Sequence, residues 1–101
     1  FVKVKNYFEK NSITILDEFL IKKNKEYGFV VKIPSNIGTL LFYVYSKDKT
    51  SISDNDVAVA YAEAQRKNMN CLLLTTGKLN KKGEESVNKK FFGSVMFRQL
   101  K

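Results

Sequence analysis

Leu40-Leu41-Phe42-Tyr43-Val44-Tyr45-Ser46-Lys47-Asp48-Lys49 is the stretch whose reading decides the fold. Its first six residues are apolar and aromatic, which suits a strand, and Ser46-Lys47-Asp48-Lys49 breaks that strand into charge. Just downstream, Ser53-Asp54-Asn55-Asp56 has the spacing of a capping box, with Asp56 in the place usually held by Glu. Acids there suit the positive end of a helix dipole, so a helix is expected from about Ser53 to Asn68. Its stripe is Val57, Tyr61 and Ala64, with Ala58, Ala60 and Ala62 beside it. Small residues of this kind let a helix lie close on a sheet. A second apolar strand, Asn70–Thr75 with Cys71-Leu72-Leu73-Leu74 at its centre, then runs into Thr76-Gly77-Lys78. Strand, crossover helix and strand make a right-handed parallel pair. In such sheets ligands gather where strand ends meet the following helix.

Upstream, Phe29-Val30-Val31-Lys32-Ile33 is a strand entered through Gly28 and ended by Pro34, with turn residues Ser35-Asn36-Ile37-Gly38 after it. Ile13–Ile21 is β-branched and aromatic enough for a strand, placing Ile13, Ile15, Phe19 and Ile21 on one face. The spacing Ile13-Leu16-Leu20 also admits a helix. Lys22–Glu26 reads as the hairpin loop between these two strands. Phe1–Lys10 suits a short amphipathic helix or the start of a strand. Downstream, a third helix is expected over Lys81–Phe92, stopped by Gly93, and an edge strand over Ser94–Leu100. Three consecutive strands with short connections form an antiparallel meander. The expected fold class is therefore α/β, a mixed sheet of a three-strand meander followed by a helix and a parallel strand, flanked by helices.

Composition narrows the function. The chain has 101 residues, 44% hydrophobic, enough for one domain with one modest core. It begins at Phe1 rather than Met, so residues 1–101 are read as a single domain excised from a longer protein. No apolar run approaches the ~20 residues that span a bilayer, and no signal-peptide pattern is present, so no membrane partner is expected. One Cys excludes an internal disulfide framework and fits a reducing, cytoplasmic setting. With no His and one Cys, a zinc site is not expected, and any chemistry would fall to carboxylates, Lys or Tyr. The net charge of +8 comes from 18 basic and 10 acidic residues, shared evenly by the two halves. A charge of this size favours polyanions, above all nucleic acid.

A meander, a helix and a parallel strand, with Lys47 at the end of the third strand, resembles the PD-(D/E)xK nuclease family. That is the restriction-endonuclease-like fold, which includes Holliday-junction resolvases. The resemblance covers nearly the whole chain, through element order. It implies a divalent metal held by an Asp at the start of the second strand and by an acid two residues before the lysine. The lysine would position or activate the attacking water. Here Lys47 matches the lysine, Tyr45 falls at the second acid, and Gly28, within Glu26-Tyr27-Gly28-Phe29, at the first. Gln65 sits where a helix Gln recurs in parts of the family. Neither Tyr nor Gly replaces a carboxylate for Mg²⁺. The resemblance thus implies a nuclease scaffold that has lost its metal site.

On this reading no catalytic residue, metal or other cofactor is expected. Lys47, Lys49, Gln65, Lys78, Lys81 and Lys82 would gather at the strand ends and contact phosphates of nucleic acid, DNA ahead of RNA. Were the chain instead an active Mg²⁺-dependent endonuclease, Lys47, Asp48 and Glu18 would carry it, with Asp17 and Glu26 as further acids. Gly77-Lys78 lacks the spacing of a nucleotide-binding P-loop. Tyr43 and Tyr45 suit core packing ahead of base stacking, and Arg66, Lys67, Lys89 and Lys90 a solvated surface. A third reading is a protein-interaction module. Phe91-Phe92 and Val95-Met96-Phe97 would pair a homodimer or dock the rest of a larger parent protein.

Overall fold

The computed structural model describes residues 2–22 and 26–100. Its elements are α1 (Val2–Lys10), β1 (Thr14–Lys22), β2 (Glu26–Ser35), β3 (Gly38–Lys47), β4 (Ser51–Ile52), α2 (Asp54–Arg66), β5 (Asn70–Thr75), β6 (Lys78–Leu79), α3 (Lys81–Glu85) and β7 (Val95–Gln99). The main sheet has the order β1-β2-β3-β5-β7. β1, β2 and β3 pair antiparallel, whereas β3 with β5 and β5 with β7 are parallel. This is the mixed α/β architecture expected from the sequence. Among the described residues, no helix is long and apolar enough to cross a membrane.

Strand alternation delivers side chains to two layers. On one face Tyr43, Tyr45, Cys71, Leu73 and Val95 pack against Ile52 and the Val57, Ala60 and Ala64 stripe of α2. Alanine at positions 60 and 64 lets the helix approach the two buried tyrosines. On the other face Phe29, Val31, Val44, Leu72 and Leu74 meet Val4 and Phe8 of α1, together with Leu100. Phe8 stands edge-on to Phe29 with centroids 5.1 Å apart, a favoured geometry for an aromatic pair. The N-terminal segment is thus a helix because Val4 and Phe8, four apart, close that second core.

Several expectations are corrected. β1 is a strand, but register shifts between Ile15 and Asp17 and between Leu20 and Lys22 interrupt its alternation. Ile13 and Ile15 therefore join the α1 core while Phe19 joins the α2 core. A bulge moves every later side chain to the opposite face. Of the expected loop Lys22–Glu26, positions 23–25 lie outside the described residues, and Glu26 already belongs to β2. Pro34 does not end β2; it pairs with Thr39 at the end of the hairpin, where a missing donor is tolerated. β3 runs on through Lys47, beyond Tyr45. The third helix is shorter than expected. After α3 the chain widens into a π-helical stretch, Ser86–Lys90, and turns at Gly93 with φ +83°. A parallel ribbon, β4 with β6, is also present. Two residues per strand are too few to show periodicity in sequence.

Gly28 faces the α2 layer, and a β-carbon there would fall on the Tyr43 hydroxyl. Tyr43 is itself 1% exposed and cannot retreat. Gly28→Ala is expected to cost about 2 kcal/mol in urea unfolding, and adding Tyr43→Phe should return part of that loss.

Candidate functional site

One row of the sheet register runs across its end: Glu26 beside Lys47, Lys47 beside Thr75, Thr75 beside Gln99. Here β3 and β5 give way to the loops that lead into α2 and α3. The capping box at the start of α2 places an acid against this row. The Ser53 hydroxyl caps the Asp56 backbone N–H, and the Ser53 N–H donates to Asp56 Oδ2 at 2.9 Å. The same carboxylate accepts from Lys47 Nζ at Oδ1 and from Lys49 Nζ at Oδ2, each at 2.8 Å. Only 4% of the Asp56 side chain is exposed. Burial works against its charged form. The bonds from Lys47, Lys49 and the Ser53 backbone outweigh burial and hold the carboxyl well below the usual aspartate range.

A second carboxylate reaches the same lysine. Glu26 Oε2 lies 3.8 Å from Lys47 Nζ, and Glu26 Oε1 accepts the Tyr45 hydroxyl. Burial first, then that hydrogen bond and the Glu26 charge, push the Tyr45 phenol far above its ordinary value. It remains a donor. Tyr43, buried and near Glu63, is pushed up to about 12.

The loops are fixed by backbone contacts. Lys78 N–H donates to the Thr50 carbonyl at 3.2 Å and Asn80 N–H to the Ile52 carbonyl at 2.8 Å. A β-carbon on Gly77 would strike the carbonyls of Lys49 and Thr50. Glycine is thus what lets the β5–β6 turn press onto the segment that carries Lys49. Asn80 caps α3 by accepting from Gly83 N–H at 2.8 Å.

The expected binding residues are only partly brought together. Lys47 is mostly enclosed and neutralised, and Lys49, 46% exposed, shares Asp56 with it. Lys78 on the ribbon and Lys81 and Lys82 at the start of α3 are exposed, and among the described residues no carboxylate lies within 4 Å of them. Lys82 lines a shallow groove with Asp54, Glu85, Ser86, Lys89 and Lys90. Gln65 does not join the strand-end group. It is exposed in the last turn of α2, ~14 Å along the helix from Asp56.

Of the acids invoked for an active enzyme, Asp48 accepts from Thr76 Oγ1 at 2.7 Å, and Glu18 pairs with Lys5 on the α1 face, across the sheet from Lys47. Asp17 accepts the backbone N–H of Glu18. In the β2–β3 register Gly28 lies opposite Tyr45, and the β2 residue opposite Lys47 is Glu26. Asp56 was read from sequence only as a helix cap. A capping acid immediately after the charged end of a parallel strand is the signal that pointed to it.

These elements define a restriction-endonuclease-like fold. The chain is similar in structure to a solved complex of MspJI restriction endonuclease with a 27-mer oligonucleotide, with a TM-score of 0.62 and 14% sequence identity. The match covers 95% of this chain and 23% of that one, so this chain spans under a quarter of its length. No protein-family model matches the sequence, and no curated protein does.

Asp56→Asn leaves two ammonium groups facing a neutral amide and should cost about 3 kcal/mol. Because the folded carboxyl is held below its ordinary value of 3.8, its stabilisation is complete above that value and drains away as pH falls below it. Urea midpoints of the wild type should therefore drop below pH 4 more steeply than those of Asp56→Asn.

Proposed function

We propose that this chain is a nucleic-acid-binding domain on a restriction-endonuclease-like scaffold, without cleavage activity of its own. The observation that carries the reading is how positive charge is divided at the strand ends. Asp56 and Glu26 balance Lys47 and Lys49, leaving Lys78, Lys81 and Lys82 exposed beside them without acidic partners among the described residues. Exposed lysines on a tied-down ribbon and helix start meet backbone phosphates and release counterions, which positions a protein on the polymer without reading sequence. The oligonucleotide in the similar MspJI complex supports the same class of partner, and DNA is the first polymer to test.

The absence of cleavage rests on how the two carboxylates are used. Mg²⁺ takes hard oxygen ligands in near-octahedral geometry. The Asp56 oxygens are engaged by Lys47, Lys49 and Ser53, and those of Glu26 by Tyr45 and Lys47. As arranged, this set does not fit the ion. One observation favours a second reading, a metal-dependent phosphodiesterase: Glu26 and Asp56 both converge on Lys47. It would require both lysines to swing away.

Anisotropy titrations of labelled duplex DNA, single-stranded DNA and structured RNA at a series of salt concentrations test the proposal. Replacing Lys78, Lys81 and Lys82 together by Ala should flatten the slope of log affinity against log salt by about 3. The labelled strands should remain intact with Mg²⁺ or Mn²⁺. Salt-independent affinity would sink the binding reading, and metal-dependent cutting lost in Lys47→Ala would establish the second.

A further inference from the structure

The strand-end row does not stop at Lys47. It continues through Thr75 to Gln99, about 10 Å away at the usual strand spacing. The Gln99 amide donates to the Thr76 carbonyl at 3.3 Å. Beyond Gln99 lies a groove of about 450 Å³ between α1 and the end of β7, lined by Lys3, Asn6, Tyr7, Lys10, Asn11, Gln99 and Leu100.

The polar wall of this groove is one stripe of α1. With Val4 and Phe8 turned into the core, the 3.6-residue period puts Lys3, Asn6 and Lys10 together on the outer side. All three are exposed, and among the described residues neither lysine has a carboxylate within 4 Å. The helix's other described lysine, Lys5, is used differently, pairing with Glu18. Glu9, the helix's one acid, stands off this stripe. Asn11 gives one amide hydrogen to the Tyr7 carbonyl at 2.9 Å and keeps the other. Two ammonium groups and three side-chain amides thus face a concave surface floored by Tyr7 and Leu100. Ammonium and amide N–H groups are what phosphodiester oxygens accept from, and the floor suits the apolar face of a sugar.

From this continuity we infer that the α1 groove is a second contact for the nucleic-acid backbone, extending the strand-end lysines around the edge of the sheet at β7. The inference rests on the binding reading above and adds to it a path for the polymer. Lys3 and Lys10 are two helical turns apart, ~10 Å. That span is about three nucleotides of rise along one duplex strand. A strand lying in the groove would meet both lysines and pass Gln99 towards Lys78. Contacts of this kind, to phosphate and sugar, position the polymer without reading its sequence.

The test is a salt series on the same duplex with four proteins: wild type, Lys3→Gln with Lys10→Gln, the Lys78, Lys81 and Lys82 alanine variant, and a charge-matched control, Lys32→Gln with Lys67→Gln. Lys32 lies in mid-β2, opposite Thr14 and Leu41, and Lys67 follows the last turn of α2 with its ammonium over the Phe19 ring, neither of them lining the α1 groove. The α1 variant should lower the salt slope by about 2 while its thermal midpoint stays at the wild-type value. The control should keep the wild-type slope. An α1 variant that binds like wild type, or no worse than the charge-matched control, overturns this inference alone, provided the strand-end variant is weakened. If the wild type binds no polymer, the inference falls together with the function it extends.

Discussion

Asp56 carries a negative charge to a place that water hardly reaches, and four donors converge on it. Two are ammonium groups from the end of β3 and the loop after it; the others are the hydroxyl and backbone N–H of Ser53. Unpaired, such a charge would cost several kcal/mol. Fully paired, it fixes where α2 begins relative to β3. That placement in turn sets Val57, Ala60 and Ala64 against Tyr43 and Tyr45. The helix cap, the strand end and one of the two cores therefore share a single carboxylate.

The same cluster governs what the strand ends can do. Lys47 and Glu26 lie opposite each other in the β2–β3 register, so the lysine has a second acid at hand whatever the loop beyond it does. Charge at this point is balanced locally. Exposed lysines without an acid close by lie instead on the ribbon (Lys78), at the start of α3 (Lys81 and Lys82) and on the outer stripe of α1 (Lys3 and Lys10), each on an element held by backbone contacts or by packing. A rigid mount matters for a cation, because a lysine whose base is already fixed has less freedom to lose on meeting a phosphate.

Much of this architecture could be read from residues. The apolar and aromatic run Leu40–Tyr45, the capping box at Ser53 and the apolar run Cys71–Leu74 each carry a local signal, and together they imply the crossover and the parallel pair. What escaped depended on partners far away in sequence. Bulges in β1 redirected Phe19, and nothing in Ile13–Ile21 marks where pairing slips. Gly28 looked like the site of a missing acid, yet its lack of a side chain makes room for the Tyr43 hydroxyl. Glu26 stood among several acids that sequence could assign to Lys47, and only the antiparallel register singles it out from Asp17, Glu18 and Asp48. Gln65 matched a pattern in sequence, but a helix of thirteen residues carries it away from the strand ends.

Cys71 lies fully buried in the middle of β5, and burial pushes its thiol up to about 12. In an open chain the same thiol would titrate near 8.5 and react readily with an alkylating reagent. The one cysteine of the sequence therefore reports on excursions of the central strand out of the sheet. Its alkylation rate becomes a clock for opening, wound by the same packing that keeps both cores shut, and it can be read without adding a probe to the protein.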